Sequence, residues 1–314
     1  MDASSRREMR KAVYHGVRDI RVERVEEPRP GPHEALVRVV YCGICGSDLH
    51  EYLHGPFPRS PFGHEVCGEI VAVGDRVETF AVGDRVVAFN RDGYAERMVA
   101  PQERLLKLPE QIGWERAALI EPLAGAAYAV ERGGIAAGDR VLIAGGGPVG
   151  LLVLLAVKAL GVETVYLSEI SETRRDKARE LGASDVFDPR ELAIPKKMRE
   201  LTDGGGVDVS VEAVGIEAAL KDCLASTRQR GTVVVQGIFT DRVPIHMLGF
   251  VSREITMIGT NSIDPQLALE WIASGRVEPE SIVTRIVPLE EIASRGFDVL
   301  ADEKDRDIKI LVAP

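Results

Sequence analysis

The sequence has few cysteines, no long basic run and no apolar stretch long enough to cross a membrane. Four cysteines among 314 residues are too few for a disulfide framework. The formal net charge is -10, so the phosphate backbone of a nucleic acid is not an expected partner. The most apolar stretch, 151–160, is interrupted by Lys158 and is shorter than a membrane span. We therefore expect a cytoplasmic protein that binds neither nucleic acid nor membrane.

Two domains are expected, because 314 residues exceed what one ordinary hydrophobic core needs. Short runs rich in β-branched residues, with Gly-Asp turns at 74–75 and 83–84, predict antiparallel strands in the first third. Beyond residue 140, strand-like and helix-like segments alternate, which is typical of a parallel sheet with helices on both faces. We predict an α/β chain with a mainly-β domain at 1–124 and 276–314 and a doubly wound domain at 125–275.

A glycine-rich turn follows the strand predicted at 141–144. There Gly145 permits the tight turn, Gly147 lets a pyrophosphate approach backbone amides, and Gly150 lets helix and strand pack closely. The motif alone also fits an ordinary strand-to-helix turn. The buried strand before it and the apolar helix after it favour a dinucleotide site. The predicted cofactor-binding residues of the turn are Gly145, Gly147, Pro148, Val149 and Gly150.

Acidic and basic residues after the next predicted strand bear on the choice of cofactor. Glu169 lies 19 positions beyond Gly150. A carboxylate at that place binds the ribose hydroxyls and repels a 2′-phosphate, which favours NAD over NADP. Arg174 is a further candidate for cofactor binding, and Arg174 or Arg175 can instead reach a phosphate. The alternative for both arginines is a solvated helix face.

A thiolate, an imidazole and a carboxylate are the ligand types of a catalytic zinc site, and Cys45, His64 and Glu65 supply one of each. Cys42 and Cys45 also form a Cys-x-x-Cys pair, which fits a redox pair or half of a structural zinc site. The sequence has no second such pair, so neither alternative gains support. Cys42, Cys67 and Cys223 are interpreted as packing residues.

Further segments accompany these motifs in a fixed order, at 43–50, 63–68, 82–86, 93–96, 121–123 and 212–215. Together with the glycine turn they make the chain resemble the zinc-dependent medium-chain alcohol dehydrogenase family, in its polyol, butanediol and threonine dehydrogenase branch. The likeness runs over nearly the whole chain. It implies a GroES-like, mainly-β catalytic domain and a Rossmann NAD-binding domain.

The resemblance also implies roles for residues around the zinc. By it, Cys45 and His64 are zinc ligands, and Glu65 is a catalytic ligand that can exchange with water. Glu121 is then a fourth ligand or holds the zinc-bound water. Asp48 orients His64 from behind, which fixes the imidazole tautomer.

A proton relay follows from the same resemblance. Ser47 takes the proton of the alcohol and passes it through the cofactor ribose to His50, whose imidazole type suits a shuttle near neutral pH. The alternative for His50 is a solvated loop histidine. Lys309 and Arg85 are weaker candidates for contacts to the cofactor or at the domain interface.

The chain departs from the family pattern at three places. A lobe with four closely spaced cysteines, which holds a structural zinc in family members, is missing where 90–92 leads straight to Gly93. We therefore predict one catalytic zinc per subunit. Segment 259–262 lacks the aromatic-arginine-aromatic pattern of polyol dehydrogenases, which puts sorbitol-like substrates in doubt. The short segment between 50 and 63 either forms a pocket wall or is a surface loop, with candidate residues Glu51, Tyr52, His54 and Phe57.

The predicted function is the reversible, NAD-dependent oxidation of a secondary alcohol to a ketone at zinc. Polyols, amino-alcohols and cyclitols are the candidate substrates, and the family expectation is a homodimer or homotetramer. Two alternatives stay open at this point. One is a zinc-independent quinone or enone reductase of the same fold, and the other is a non-catalytic NAD-binding protein.

Overall fold

The computed structural model describes residues 7–56, 62–303 and 305–314. The chain divides into two compact units, one comprising Met1–Glu121 with Val283–Pro314 and the other Pro122–Ile282. Each unit has its own sheet system. The functional domain limits at 1–124 with 276–314 and at 125–275 stay a prediction.

The first unit is built mainly from antiparallel strands, as the sequence predicts. Its strands are β1 (Glu8–Gly16), β2 (Asp19–Glu26), β3 (Glu34–Gly43), β4 (Glu65–Val73), β5 (Arg85–Ala88), β6 (Arg97–Pro101), β7 (Leu105–Lys107), β14 (Val283–Pro288) and β15 (Lys309–Ala313). β1 and β2 form a two-stranded sheet. The others form a seven-stranded sheet in the order β14-β15-β3-β4-β5-β7, with β6 paired to β3. Among the described strands of this unit, β14 and β15 pair in parallel and all other pairs are antiparallel.

Helices of the first unit are short. They are α1 (Gly46–His54), α2 (Trp114–Ala117) and α10 (Asp298–Asp302), with 3-10 turns at Gln102–Arg104 and Leu289–Glu291 and a π-helical turn at Ile292–Phe297. The core is formed by the inward faces of the sheet and by aromatic rings. Phe297 lies at its centre, with ring centroids 5.0 Å from Tyr52 and 5.7 Å from Phe62. This packing fixes α1, which carries Tyr52, and the residues just before β4, which include Phe62.

The second unit is a six-stranded sheet whose paired strands are all parallel. Its order is β10-β9-β8-β11-β12-β13. The strands are β8 (Arg140–Ala144), β9 (Thr164–Ser168), β10 (Asp185–Phe187), β11 (Val207–Glu212), β12 (Thr227–Val235) and β13 (Thr256–Gly259). This is the order 3-2-1-4-5-6 of a doubly wound dinucleotide-binding sheet, so the predicted Rossmann fold is confirmed.

The connections of the second unit are helical, as parallel neighbours require. The helices are α3 (Ile120–Arg132), α4 (Pro148–Ala159), α5 (Glu172–Glu180), α6 (Ile194–Leu201), α7 (Glu217–Ser226), α8 (Met247–Ser252) and α9 (Pro265–Ala273). α3 crosses the limit between the two units. Central strands are buried on both faces, because Val141, Leu142 and Ile143 have no exposed surface. Strand order reverses between β8 and β11, and ligands of such sheets bind at the carboxyl edge there.

Candidate metal centre and cofactor turn

Three potential metal ligands converge in the first unit. One ligand atom each from Cys45, His64 and Glu65 lies within 4.8 Å of the others. Cys45 is the N-cap residue of α1, and Glu65 is the first residue of β4. The antiparallel pairing of β3 and β4 places Gly43 opposite Glu65, which brings the start of α1 beside the His64–Glu65 segment. Among the described residues this is the cluster whose chemistry fits a metal.

Two glycines allow this convergence. A Cβ on Gly43 would lie 2.0 Å from Glu65 Oε2, so the Glu65 carboxylate occupies the space a side chain would need. Gly63 has φ +68°, and a Cβ there would lie 2.9 Å from the Tyr94 ring. Only glycine adopts this backbone without strain while allowing so close an approach.

Asp48 holds the two ligand-bearing segments together. Its carboxylate is fully buried and lies 3.6 Å from His64 Nδ1, an ion-pair distance. It also accepts hydrogen bonds from the backbone N–H groups of Cys45 and Gly63, both at 3.2 Å. Asp48 therefore fixes the backbones of Cys45 and Gly63 as well as facing the imidazole.

Tyr94 supports Asp48 from behind, a role that the sequence did not reveal. Its hydroxyl lies 2.6 Å from Asp48 Oδ2 and 3.1 Å from the Gly43 carbonyl, and both are acceptors. Burial, followed by the charge of Asp48, raises the pKa of Tyr94 well above its usual range, so the hydroxyl stays a donor. The Gly-Tyr-Ala-Glu segment at 93–96 was a family signature without a function. A buried tyrosine needs a hydrogen-bond partner for its hydroxyl. A tyrosine in a segment of small residues therefore could have indicated a polar partner in the core.

Removing the Tyr94 hydroxyl is expected to weaken zinc binding. We expect Tyr94→Phe to lower zinc affinity by about 10-fold, because the loss of an outer partner loosens the ligands it orients. Competition with a chromophoric chelator measures this. Tyr14→Phe is the matched control, because the Tyr14 hydroxyl bonds the Glu51 carbonyl and touches no ligand. Equal zinc affinity in Tyr94→Phe and wild type would contradict the support role of Tyr94.

Lys309 forms a buried ion pair with Glu65. The Lys309 ammonium donates to Glu65 Oε2 and, at 2.9 Å, to the Ile44 carbonyl. Both side chains are 1% exposed. Burial alone would lower the pKa of Lys309, but the charge of Glu65 raises it overall, so the ion pair is charged. Glu65 thus lies between the potential metal position and a fixed cation. In the sequence, a lone lysine inside the apolar segment 308–312 was the signal for such a partner.

The charged groups around the metal cluster also affect the pKa of Glu121. Burial raises its pKa to about 7, and the nearby carboxylates of Glu65 and Asp48 also raise it, while His64 and Lys309 act in the opposite direction. Glu121 is not part of the three-ligand cluster. It lies in the first turn of α3.

Ser47 and His50 share one face of α1, three positions apart, next to Cys45. Ser47 is 8% exposed, and its hydroxyl has no hydrogen-bond partner within the part of the chain that the structure describes. Burial and then the neighbouring His54 lower the pKa of His50, and the two rings lie 4.8 Å apart. A buried hydroxyl without a partner indicates a place for a polar ligand atom.

The other candidates lie elsewhere. Tyr52 is buried in the core, where its hydroxyl donates to Asp298 Oδ1 at 2.6 Å, so it is a packing residue and not part of a pocket wall. Glu51 is likewise buried on α1, at 1% exposure. Phe57 lies outside the described residues. Arg85 stacks 4.0 Å above the Trp114 ring and donates to backbone carbonyls of 109–112, within its own unit.

The donor set fits a divalent cation. Burial opposes charge on His64, yet the Cys45 charge and the Asp48 hydrogen bond raise the His64 pKa well above its usual value. The surrounding thiolate and carboxylates therefore favour positive charge at this point. A zinc ion between a thiolate, an imidazole and a carboxylate meets the same demand and leaves a coordination position open.

The cofactor turn joins β8 to α4 in the second unit. Gly145 has φ +105°, and a Cβ on Gly150 would lie 1.9 Å from the Gly145 carbonyl oxygen. Gly147 is the N-cap and Pro148 the first residue of α4, and no side chain caps the helix. The backbone N–H groups of Gly147, Val149 and Gly150 thus lie at the start of an uncapped helix, where Pro148 has no N–H to contribute. Such a cradle fits a pyrophosphate.

Glu169 follows β9 at the edge of this cradle. Its carboxylate is 8% exposed and accepts hydrogen bonds from the N–H groups of Gly146, at 2.7 Å, and Ser171, at 2.9 Å. Arg174 on α5 points toward the turn, since its Nη1 would lie 3.9 Å from a Cβ on Gly147. Arg174 Nε is buried without an acceptor among residues 7–56, 62–303 and 305–314. Both features fit a nicotinamide dinucleotide.

A glycine turn on a doubly wound sheet in one unit and a thiolate–imidazole–carboxylate cluster in the other define a zinc-type dehydrogenase. Residues 31–110 match the alcohol dehydrogenase GroES-like domain, and residues 148–274 match the zinc-binding dehydrogenase domain. The chain belongs to the zinc-dependent medium-chain alcohol dehydrogenase family, in its polyol and butanediol branch.

Similar proteins support this placement. The (R,R)-butanediol dehydrogenase of Bacillus subtilis (strain 168) is 37% identical over 348 aligned positions, which cover 98% of this chain and 100% of the relative. Sorbitol dehydrogenase of Bos taurus is 30% identical, with 99% and 97% covered. The crystal structure of the Bacillus subtilis 2R,3R-butanediol dehydrogenase superposes with a TM-score of 0.90 at 35% identity, covering 98% and 99%. A zinc-binding dehydrogenase from Sinorhizobium meliloti 1021, bound to NADP, gives 0.89 at 30% identity, covering 98% and 100%.

The predicted class of activity is thereby confirmed. The chain is an oxidoreductase that reversibly oxidises a secondary alcohol, a polyol or diol, with zinc and a nicotinamide cofactor. Its substrate is a small-molecule alcohol or ketone. Among the described residues, no helix combines the length and the apolar character that a membrane span needs.

Proposed function

We propose that the chain is an NAD-dependent diol dehydrogenase whose single zinc is bound by Cys45, His64 and Glu65. The observation that carries the proposal is the convergence of these three ligand atoms within 4.8 Å. The buried Asp48 carboxylate holds that convergence in place through the backbones on both sides. Glu121 is the fourth ligand or the acceptor for a zinc-bound water. Its raised pKa of about 7 lets it change protonation near neutral pH.

Proton transfer is assigned to α1. When bound, zinc would supply a Lewis acid that lowers the pKa of an alcohol hydroxyl, and an oxidised nicotinamide would supply the hydride acceptor. Ser47 Oγ is buried and has acceptor capacity to spare, so it receives the hydroxyl proton and passes it on toward His50. Because its pKa is lowered, the His50 imidazole is neutral at neutral pH and can accept that proton. Solvent then takes the proton from His50.

One zinc per subunit is proposed because no structural-zinc lobe is present. The sequence has four cysteines, Cys42, Cys45, Cys67 and Cys223. With Cys45 in the catalytic cluster, the other three are too few for a four-cysteine structural site. The alignment with the Bacillus subtilis butanediol dehydrogenase has 348 positions, 34 more than this chain has residues. The relative therefore has residues without a counterpart here. At 90–92 the chain makes a short turn, with Asp92 at φ 74° and ion-paired to Lys11 at 3.0 Å.

Small vicinal diols are the proposed substrates. The butanediol dehydrogenase of Bacillus subtilis, at 37% identity, is more similar in sequence than the sorbitol dehydrogenase of Bos taurus, at 30%. Segment 259–262 also lacks the arginine that polyol dehydrogenases use to hold substrate hydroxyls. Turnover of butane-2,3-diol stereoisomers and sorbitol, followed by NADH formation, tests the proposal. Faster oxidation of a butanediol isomer supports it, and preference for sorbitol contradicts it.

NAD is proposed over NADP because Glu169 is held at the edge of the glycine turn. We expect Glu169→Ala to weaken NADH binding by about 10-fold and to shift preference toward NADPH, since the carboxylate no longer bonds the ribose or repels a 2′-phosphate. Titration of the intrinsic tryptophan fluorescence with each cofactor measures both affinities. A preference equal to that of wild type would show that Glu169 does not contact the ribose.

A homodimer or homotetramer is proposed from the free edge of the second sheet. β13 pairs with β12 and is the last strand in the order. Its Met257 is 39% exposed, and Val251 on α8 is 63% exposed. Unpaired apolar edges commonly pair across a two-fold axis. Light scattering at working concentration decides between monomer and oligomer.

We also propose a cytoplasmic location, since Cys45 must stay a reduced thiolate to bind zinc.

A further inference from the structure

Two arginines near the adenosine end of the cofactor turn are clasped by one buried carboxylate. Arg175 Nη1 lies 3.0 Å from Asp188 Oδ2, and Arg190 Nε lies 2.9 Å from Asp188 Oδ1. Asp188 is 5% exposed. It directly follows β10, the neighbour of β9, so it emerges at the same sheet edge as Glu169. Hydrogen bonds from Arg190 hold the Asp188 pKa well below its usual range, so the clasp is charged.

The clasped arginines hold the backbone that carries Glu169. Arg175 Nη1 donates to the carbonyls of Glu169 and Ile170, both at 2.8 Å. Arg190 Nη2 donates to the Ile170 carbonyl at 2.7 Å. Asp188 thus fixes, through two cations, the peptide that directs the Glu169 carboxylate onto the Gly146 N–H group.

Arg174 behaves differently from its neighbour. It lies on the same helix, but it faces the glycine turn, and its Nε finds no acceptor within the described part of the chain. Arg174 thus faces the turn, whereas Arg175 and Arg190 bind the backbone at 169–170, next to which the cofactor ribose is expected. Asp188 keeps Arg175 and Arg190 bound to backbone carbonyls.

We propose that Asp188 is a positioning residue for cofactor selectivity, which keeps Arg175 and Arg190 from serving a 2′-phosphate and holds Glu169 toward the ribose. The inference rests on the proposed NAD preference. Without the Asp188 charge, the local field becomes more positive by one unit, and a phosphate dianion gains more from this than a neutral hydroxyl does. Selectivity for NAD is then a property of Glu169 together with Asp188, Arg175 and Arg190, and not of Glu169 alone.

The test compares NADH and NADPH affinities by fluorescence titration of the zinc-loaded protein. We expect Asp188→Asn, which preserves shape and removes charge, to shift the affinity ratio toward NADPH by roughly 10-fold. Arg190→Gln should shift the ratio the other way, because it removes an exposed cation and leaves Asp188 negative. Asp188→Glu keeps the charge and should restore the wild-type ratio. Asp176→Asn is the matched control, since Asp176 is ion-paired with Arg179 on α5 and is exposed.

The outcomes separate this inference from the cofactor proposal. Two results in Asp188→Asn would overturn the inference. One is an equal loss of affinity for both cofactors, which would make Asp188 merely structural, and the other is wild-type affinity for both. A wild type that prefers NADH, together with either of these results, refutes the inference alone. A wild type that prefers NADPH, or binds neither cofactor, refutes the proposed NAD preference and the inference with it. Opposite shifts in Asp188→Asn and Arg190→Gln support the inference.

Discussion

Replacing Cys45 by serine is expected to remove bound zinc and to lower kcat/KM for alcohol oxidation by roughly 1000-fold, equivalent to about 4 kcal/mol of transition-state stabilisation. The reason is the loss of the thiolate. A serine hydroxyl does not ionise near neutral pH and is a poor zinc ligand, so the remaining imidazole and carboxylate bind the ion weakly. Initial rates and zinc content, measured on the same preparation, check the prediction.

Cys67→Ser is the control for this experiment. Cys67 lies on β4, two positions after Glu65, but burial raises the pKa of its thiol to about 12 and its sulfur contacts the Trp114 carbonyl at 3.3 Å. It is therefore a neutral packing residue. We expect Cys67→Ser to keep its zinc. Wild-type turnover in Cys45→Ser would contradict the assignment of Cys45 as a ligand.

Replacing Lys309 by methionine is expected to destabilise the zinc-free protein by about 3–5 kcal/mol, because it leaves the Glu65 carboxylate buried without its cation. The loss should be smaller when zinc is bound, since the ion neutralises the same carboxylate. Urea unfolding, with and without zinc, measures the difference. A Glu65→Gln and Lys309→Met double variant should recover part of the lost stability, because no isolated charge is then buried.

A partly buried ion pair of the same unit provides the control. Arg285 and Asp307 lie 2.8 Å apart and have 18% and 3% exposed side chains. Neither belongs to the metal cluster. Arg285→Met should therefore cost similar stability with and without zinc. If Lys309→Met were also insensitive to zinc, Lys309 would not share Glu65 with the metal.

The three ligands and the Asp48 carboxylate behind His64 could be predicted from the sequence, but the support from Tyr94 and Lys309 could not. Cys45, His64 and Glu65 stand in short motifs whose residue types are those of a zinc site. Lys309 is 244 positions from Glu65 and Tyr94 is 46 from Asp48, so only the fold brings these partners together. Local patterns carry no information about such distant pairs.

The adenosine end shows the same limit. Glu169 was predicted from its spacing after the glycine turn, whereas Asp188 gave no signal. Two adjacent arginines in one helix are equivalent in a charge pattern, yet Arg174 faces the turn and Arg175 faces Asp188. Adjacent residues of a helix point about 100° apart around its axis. Which of the two arginines meets a carboxylate therefore depends on where β10 places Asp188.

The fold was predicted where periodicity is strong. The β8 strand and the α4 helix lie where the apolar pattern put them. β10, with three residues, and α6, with eight, were missed because such short segments show no clear period. Weak periodicity goes with irregular structure at 289–302, where the chain forms a 3-10 turn, a π-helical turn and a short helix in place of one continuous helix. Gly296 falls in the π-helical turn, and a Cβ there would lie 2.8 Å from Ile44 Cδ1.

Metal content of the purified protein tests the central claim most directly. Elemental analysis by mass spectrometry, after dialysis against metal-free buffer, gives zinc per subunit. We expect one zinc per subunit, bound at Cys45, His64 and Glu65. Two would show that a structural site survives the loss of the lobe at 90–92, and none would contradict a zinc-dependent dehydrogenase.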